Sequence, residues 1–552
     1  MYDIPNNFIH DIIDEAKANG FSQEIHTRFP PEPNGYIHIG SAKAIFINYM
    51  TAKKYGGPFN LRYDDTNPVK EKDEFVKSIY NDIVWLVGEA PTGGVFYGSD
   101  YFDKCYEFAV KLIKDGKAYV CNLTADEMRE YRGTLTQSGK NSPYRDRTPE
   151  ENLELFEKMK NGEFADGFCT LRAKIDMSSP NMTLRDPAIY RISRAHHHRQ
   201  GDKWCIYPLY DYAHPIQDAL ENITHSLCSI EFENNRPLYE WVVDNVEFEN
   251  KPRQIEFSKL NVTYTVLSKR NLIRLVETGV ADGWDDPRMP TLSGLRRRGY
   301  TNTSIMKFAS LIGISKAYNL VDIELLEYCI RDELNFNAQR KMAVLNPIKV
   351  KITNYPEDKT EYFKVSNNPN DEQSGERELA FTNELYIDEA DFSNDPPPKY
   401  FRLKPGGEVR LAGAYIIKFE ELILNSDGSI KEIHCTADLE SKNNNPVDGR
   451  KVKGTIHWVS SSHCVDATVN MYGRFFTQQN MVTLPEGKDI MDFLNPDSLV
   501  VHKNCKLEKS LENTAKGERF QFVRLGYFCK DSMKKDTFNS IISLKDSFKV
   551  SL

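Results

Sequence analysis

The sequence predicts a parallel α/β unit at its start and antiparallel β-barrels in its last third. Three observations carry this reading. Helical and strand patterns alternate through the opening stretch, as in a parallel sheet wrapped by helices. A rigid turn, PPEPNGYIHIG, joins the strand-like QEIHTRF to the helix-like SAKAIF. From roughly residue 340 onward the chain breaks into short β-rich runs separated by polar loops.

The elements follow in order. AKAIFINYMTAKKY places apolar residues at helical spacing, and Gly56 and Gly57 end it. PFNLRYDD reads as a short strand closing on Asp64 and Asp65. EFVKSIYNDIVWL puts Phe75, Ile79, Ile83 and Leu86 on one helical face. YFDKCYEFAVKLIKDG does the same with Tyr101, Cys105, Phe108 and Leu112, and Gly116 is a natural stop. Further on, VLNPIKVKITNY, EVRLAGAYIIKFEELIL, IKEIHCTADL, KVKGTIHWVS and FQFVRLGYF supply the strands of one or two barrels.

In a parallel α/β sheet, ligands sit beyond the carboxyl ends of the strands, and the first strand-to-helix turn commonly receives phosphate. The turn from Pro30 to Gly40 has that form. Its prolines stiffen it, and Gly35 and Gly40 let backbone approach a ligand. The amides of Ser41 to Lys43, at the positive end of the helix, would face an anion. An imidazole at His38 could donate to it as well. By itself the stretch is equally a structural loop with an incidental histidine.

Composition narrows the class. At 552 residues the chain has room for several domains, and 40% apolar with 27% charged residues is ordinary for a globular protein. No apolar run reaches the roughly 18 residues a membrane span needs. The start, MYDIPNNFIHDIIDEAKANG, has neither the basic residues nor the apolar core of a signal peptide. Ten cysteines without a C-x-x-C pair indicate neither a zinc cluster nor a disulfide framework, so a reduced cytoplasm is expected. The His196-His197-His198 run reads as a histidine-rich surface loop rather than a metal site. A net charge of -9 argues against indiscriminate coating of nucleic acid. Basic clusters at 128–147, 191–203 and 294–300 are compatible with a bounded basic track, and equally with solvated surface.

A set of segments then stands in a recognisable order: FPPEPNGYIHIGSAK, NLRYDDTNPVKEKDE, REYRGTLTQSGKNSPYRDRTPEENL, DKWCIYPLYDYAHPIQDALENITHSLCSIEF, VTYTVLSKRNL and GWDDPRMPTLSGLRRRGY. On these the chain resembles the class I aminoacyl-tRNA synthetases, specifically the glutaminyl-tRNA synthetase family. VKGTIHWVS and FQFVRLGYF extend the likeness into the last third. The resemblance implies an α/β Rossmann-like catalytic domain with an α/β insertion, a helical linker subdomain and C-terminal antiparallel β-barrels. Its implied divisions are 1–100, first half of the catalytic domain; 101–209, inserted acceptor-end binding domain; 210–260, second half; 261–339, helical subdomain opening with the VLSKR loop; and 340–552, anticodon-binding barrels.

The implied reaction activates L-glutamine with ATP, accompanied by Mg2+, and passes the glutaminyl group to the terminal adenosine of tRNA(Gln). No zinc, no membrane and a monomeric cytoplasmic protein are implied with it. By the same resemblance His38, Gly40, Ser41 and Lys43 bind the ATP phosphates, with Glu32, Pro33, Asn34, Ser229, Lys259, Leu260 and Leu267 lining the nucleotide site. Lys269, as a mobile point charge in a flexible loop, follows charge onto pyrophosphate with help from Ser268. Asp64 receives the substrate ammonium. Tyr210 and, through water, Gln254 read the side-chain amide, with Arg28 and Cys228 beside them. For tRNA, Leu135 matches a wedge at the first acceptor base pair, Asn234 an acceptor-stem contact, and Asn337, Arg340, Arg402, Arg410, Gln521 and Arg524 the anticodon contacts.

Glutamyl-tRNA synthetases share much of this set, but tend to carry Arg where this chain has the neutral Cys228. Two positions depart from the family pattern. The H-x-G-H motif reads His38-Ile39-Gly40-Ser41, where Ser41 is expected to cap the helix. Asn234 stands where an Asp can occur, which would loosen acceptor-stem discrimination. A non-catalytic tRNA-binding relative is the other class of answer, and Ser41 is all that favours it.

Overall fold

The computed structural model describes residues 4–68, 73–442 and 446–545. Residues 69–72, the VKEK of the NLRYDDTNPVKEKDE segment, lie outside the described residues. The chain divides into two compact units, Met1–Asn261 with Met306–Val321, and Val262–Ile305 with Asp322–Leu552. Among the described residues no helix is long and apolar enough to cross a membrane.

The first unit runs α1 (Phe8–Ala18), β1 (Thr27–Phe29), α2 (Ile39–Lys54), β2 (Phe59–Tyr63), α3 (Asp73–Val87), β3 (Gly94–Tyr97) and α4 (Phe102–Lys114). β4 (Ala118–Cys121), α5 (Ala125–Arg132), α6 (Pro149–Lys160), β5 (Thr170–Ala173), β6 (Ala188–Ile192) and β7 (Ile206–Pro208) come next. α7 (Tyr210–Leu220), β8 (His225–Ser229), α8 (Arg236–Val246) and β9 (Arg253–Phe257) follow, and Met306–Val321 is added from further along the chain. β1 pairs parallel to β2 and β2 parallel to β3, with Thr27 opposite Phe59 and Asn60 opposite Gly94. β8 and β9 form a second parallel pair, His225 opposite Arg253. The amides of Thr224 and His225 donate to His26 O, linking β8 to the β1 side. The order therefore runs β3-β2-β1-β8-β9 and reverses direction of travel at β1. That reversal is where an open α/β sheet binds its ligand.

β2 is buried at all five positions, as a parallel strand covered on both faces should be. α3 buries Phe75, Ile79, Ile83 and Leu86, the face its periodicity predicts. α4 is turned relative to expectation: Phe102, Cys105, Ala109, Leu112 and Ile113 are buried, whereas Tyr101 and Phe108 are only partly covered. Its helix begins one residue later than Tyr101, so the face packed against β4, β5 and α6 side chains starts at Phe102. Between the parallel pairs, β4-β5-β6-β7 form an antiparallel sheet of their own.

That inserted sheet is tied back to β2 by histidine. His197, expected in a surface loop, is fully buried, and only His196 of the run is well exposed. The Nε2–H of His197 donates to Asp65 O at 2.7 Å, and its Nδ1 accepts from the amides of Arg199 and Gln200, each at 3.1 Å. Its ring stacks on Tyr207 and meets Phe102 edge-on. The correction has a physical cause: a buried carbonyl at a strand end needs a donor, and His197 reaches it. His198 approaches the Asp65 carboxylate at 3.2 Å, so the three residues form a cluster of metal-ligating type. Both nitrogens of His197 are spent, however, and Asp65 already accepts from the Ser99 amide and hydroxyl at 2.7 Å each. The cluster is a brace.

In the second unit, α9 (Lys269–Glu277) and the helices Leu292–Arg298 and Ile323–Asn337 lead into two seven-stranded sheets. One follows the order Thr455–Ile456, Glu408–Leu411, Ile416–Leu424, Ile430–Asp438, Pro347–Ile352, Glu384–Asp388, Trp458–Ser460. The other follows Gln339–Lys341, Arg519–Phe522, Gly526–Lys530, Thr537–Ser543, Cys464–Tyr472, Leu499–Glu508, Ala343–Val344. These are the expected barrels, two in number. Antiparallel pairs dominate, but parallel pairs such as Pro347–Ile352 with Ile430–Asp438 occur in both, because the chain re-enters each sheet after long excursions.

His197→Ala should lower stability by about 3 kcal/mol, since two amides and a carbonyl lose their partner in the interior. Denaturant unfolding checks this. Addition of zinc or a transition-metal chelator should leave the wild-type midpoint where it is; a zinc-dependent rise would make the brace a metal site.

Candidate functional site

The turn between β1 and α2 is extended, and burial alternates along it. Pro31, Pro33, Gly35 and Ile37 are buried, while Glu32, Asn34, Tyr36 and His38 stay partly accessible. α2 begins at Ile39, two residues ahead of the expected start, because His38 is its N-cap: its Nδ1 accepts from Gly40 N at 3.1 Å. Ser41 is therefore a first-turn residue and not the cap. The bond also decides the tautomer, placing the ring proton on Nε2, the nitrogen that would donate to a phosphate. Ala42 N already bonds to His38 O, so the amides outside the helical ladder are those of Ile39 and Ser41 rather than the Ser41-to-Lys43 run. Lys43 is placed differently from expectation. Its ammonium is buried and donates to Ser258 O at 2.7 Å and Ser258 Oγ at 3.2 Å, with burial pushing its pKa down to about 8. It braces α2 from within instead of facing a phosphate.

Beneath the sheet lies a charge network that motif reading missed. Arg28 in β1 and Arg62 in β2 are fully buried. Arg28 donates to both oxygens of Asp218 at 3.0 and 2.9 Å, to Ser226 Oγ at 2.5 Å and to Leu227 O at 3.1 Å. Arg62 takes Asp218 Oδ1 at 2.7 Å and pairs with Glu221 at 3.4 Å. Tyr239 closes the set by donating to Asp218 Oδ2 at 2.8 Å. His214 lies between the guanidiniums, 2.6 Å from Arg28 Nη2 and 3.0 Å from Arg62 Nη2, and burial holds its pKa well below the usual imidazole range. Burial alone would raise Asp218, but the attraction of the Arg28 and Arg62 guanidiniums holds it well below the carboxylate range. Two cations meet two anions and a neutral ring. Sequence signals existed: an Arg inside an otherwise strand-like NLRY, and His214 and Asp218 four apart on one face of α7.

The residues assigned to glutamine surround this network. Asp64, at the end of β2, accepts from Thr66 Oγ1 at 2.8 Å. Loss of water pushes it up to about 6, against the pull of Thr66 and the Arg62 charge. Tyr210 opens α7 and stacks on His214, ring centroids 4.8 Å apart, with Phe232 on another side at 5.5 Å. Burial raises its hydroxyl, so it remains a donor. Gln254 in β9 gives both amide protons away, to Phe232 O at 3.1 Å and Glu256 Oε1 at 3.0 Å, which orients its side chain. The Cys228 thiol, in β8, is pushed up to about 12 by burial in spite of Arg28 nearby. It is neutral.

The remaining nucleotide candidates are simply built. Ser229 donates weakly to Glu231 at 3.5 Å, Lys259 pairs with Glu231 at 2.7 Å, and Leu260 is buried. In the second unit, Leu267 is half-buried and Ser268 exposed. Ser268 is the N-cap position of α9, and Lys269 is its first residue rather than part of a loop, because Leu272 N closes on Ser268 O at 3.0 Å. Lys269 and Arg270 thus stand at the positive end of a helix with no acid in its first turn.

The tRNA candidates divide by what holds them. Leu135 is 81% exposed on a loop that is far from slack. Arg185, buried, donates from one nitrogen to the carbonyls of Arg132, Thr134 and Gln137 at 2.8 to 2.9 Å. Gly133 opens the loop at φ 73, where an added Cβ would lie 2.5 Å from Gln137 O. Asn234 has its carbonyl held by Asn181 and Thr183 at 2.8 and 2.9 Å, and its side chain is exposed. In the barrels, Arg340 and Gln521 are brought directly opposite in a parallel pair, and Asn337 ends the preceding helix, exposed. Arg402 and Arg524 meet on Asp391. Arg410 lies on the strand Glu408–Leu411, its amide donating to Gly454 O.

A Rossmann-like sheet whose first turn ends in a His-capped helix, followed by two β-barrels, is the architecture of a class I aminoacyl-tRNA synthetase. Residues 24–336 match the family described as tRNA synthetases class I (E and Q), catalytic domain. Residues 338–438 and 455–531 match the two anti-codon binding domain families of the same class. The chain belongs to the class I (E and Q) tRNA synthetase family. Its relatives within that family include a glutamine–tRNA ligase from Clostridium kluyveri, 53% identical over 99% of this chain and 98% of its own length. Those from Clostridium perfringens and Tolumonas auensis are each 52% identical over 99% of this chain, and over 99% and 98% of their own lengths.

Asp218→Asn should cost about 3–5 kcal/mol, because the buried Arg28 would lose its carboxylate partner and Arg62 would keep Glu221 alone. Thermal or urea unfolding of the variant measures it, and a loss under about 1 kcal/mol would show that the network is not what holds β1, β2 and α7 together.

Proposed function

We propose that this chain is an active glutamine–tRNA ligase. It joins L-glutamine to ATP, giving glutaminyl adenylate and pyrophosphate, then moves the glutaminyl group to the 3′-terminal adenosine of tRNA(Gln) and releases AMP. The observation that carries the choice of amino acid is the neutral ground beside Arg28. Each of its three nitrogens is engaged, by Asp218, Ser226, Leu227 O and His214, and Cys228 is an uncharged thiol. A glutamate side chain would bring a carboxylate there with no cation to meet it, which is costly in a buried site. A carboxamide needs only a donor and an acceptor, and Tyr210 with a water oriented by Gln254 supplies them.

The first step asks the protein for position and charge. The Nε2–H of His38 and the amides of Ile39 and Ser41 present donors to the triphosphate at the α2 end, so Ser41 in place of a second His keeps the backbone contribution. Lys269 and Ser268, at the α9 end, meet the charge that moves onto departing pyrophosphate. Mg2+ arriving on the phosphates offsets their charge; the nearby carboxylates Asp64 and Asp65 are already engaged with Thr66 and Ser99. Asp64 holds the substrate ammonium when ionised. Residues 101–209 take the acceptor end, Leu135 wedging its first pair, and 340–552 read the anticodon. By family likeness the protein acts as a cytoplasmic monomer.

Charging of purified tRNA with ATP and Mg2+, labelled glutamine against labelled glutamate, tests the reading. Glutamine alone should be transferred. Transfer of glutamate would move the chain to the sister activity, and transfer of neither by protein that still binds tRNA would remove the activity and point at Ser41.

The pH profile offers a second check. A carboxyl raised to about 6 is ionised above that pH and neutral below it, and only the ionised form holds an ammonium. kcat/KM for glutamine should therefore fall about tenfold per pH unit below 6. Asp64→Asn should remove this limb and lower the plateau by about ten- to a hundredfold. An unchanged acid limb in the variant would remove Asp64 from the ammonium site.

A further inference from the structure

Where Arg524 meets Asp391, the two barrels of the second unit share one carboxylate. Asp391 ends a short turn, Glu389–Asp391, after the strand Glu384–Asp388, and is 1% exposed. The fork of Arg524 closes on it, Nη1 to Oδ2 at 2.6 Å and Nη2 to Oδ1 at 2.8 Å. Arg402 Nε lies 3.3 Å from Oδ1, and its Nη1 donates to Ala390 O at 2.6 Å. His457, almost fully buried, stands 3.8 Å from Oδ2 and 3.2 Å from Arg524 Nη1. Tyr400 donates to the same Ala390 carbonyl at 3.2 Å.

Several features exceed what an ion pair between barrels requires. One guanidinium would neutralise Asp391, and two are present, so the cluster carries positive charge. Both arginines remain partly accessible, Arg402 at 43% of its side chain and Arg524 at 29%, while the carboxylate beneath them is sealed. Arg524 sits at φ 68, a strained setting for a side chain of its size that the surrounding structure has to enforce. Next to Arg402, Phe401 exposes half of its surface, with the Lys453 ammonium 5.1 Å from its ring centre. Forked donors, an exposed ring and a surplus of positive charge are what single-stranded nucleotides bind.

We propose that Asp391 is a positioning residue for tRNA selection, clamping the planes of Arg402 and Arg524 so that their outer edges meet unpaired anticodon bases, with Phe401 as the adjoining stacking face. This rests on the reading above that the two arginines face the anticodon. A guanidinium held on a buried carboxylate loses its rotamer freedom before the RNA arrives, so less is lost on binding. The shared carboxylate also couples the two: moving one changes the seat of the other.

The test compares full-length tRNA with an acceptor-stem hairpin that lacks the anticodon. Asp391→Asn should raise KM for the full-length tRNA about ten- to a hundredfold with kcat little changed, and leave kcat/KM for the hairpin as in the wild type. Asp391→Glu, which restores the charge, should recover part of the loss. Equal losses on both RNAs, or failure of both variants to fold, would make Asp391 a structural residue and overturn the proposal. Arg402→Ala and Arg524→Ala separate the two ideas. If they leave full-length charging unchanged, the anticodon reading itself fails. If they weaken it while Asp391→Asn does not, the anticodon reading stands and the clamp falls.

Discussion

Two guanidiniums buried under the first strands of the sheet are the constraint on which the site depends. Arg28 and Arg62 sit in adjacent strands, in register one residue apart from Phe29 and Leu61 in the core. Taking even one such cation out of water costs several kcal/mol, and a buried pair only repays this when its geometry is good and its remaining donors are met. Asp218 on α7 and Glu221 at its C-cap meet most of that demand together with Ser226 and Leu227 O, while Arg62 Nε makes no hydrogen bond among the described residues. An apolar set of similar shape would give as much stability. What the charges add is definition: α7 can dock on β1 and β2 in only one register. They also fix where Tyr210 and Asp64 stand, since the first begins that helix and the second follows that strand. A neutral thiol at Cys228 and a raised carboxyl at Asp64 are both consequences of burial, which outweighs the pull of Arg28 on the one and of Arg62 on the other.

Helix ends carry the complementary half of the design. α2 starts on a histidine that spends one nitrogen as a cap and so commits the other as a donor. α9 starts on a lysine, against its own dipole. In an isolated protein the second choice costs a few tenths of a kcal/mol to about 1 kcal/mol.

How much of this could be read from the chain depends on the kind of signal. The strand, turn and helix order, the α3 face and the barrel strands were legible, because apolar periodicity and Pro/Gly punctuation are local. The start of α2 was displaced because capping by His38 is not written in the usual Ser, Thr, Asp or Asn alphabet. Lys43 was misassigned because nothing near it in sequence announces Ser258, 215 positions away. The same distance problem hid His197, whose partner Asp65 lies 132 positions earlier. A histidine run reads as surface only until a buried carbonyl claims one of its members.

The arginines make the general point most clearly, since the same side chain has three fates in this molecule. Arg28 and Arg62 are consumed by carboxylates in the core. Arg185 is consumed by three carbonyls of one loop, and Arg340 by the carbonyls of Ala338 and Asn335. Arg402 and Arg524 are held at one edge and accessible at the other. Residue type and motif position do not separate these cases; what the five donors are doing does. The loop that presents Leu135 follows from the second fate. An exposed leucine on a slack loop would fold back onto whatever apolar surface it could reach. Tied at Arg132, Thr134 and Gln137 by a buried guanidinium, with Gly133 supplying the turn, it has nowhere to retreat. An apolar tip held in water this way has met its ordering cost within the folded protein, before anything binds it.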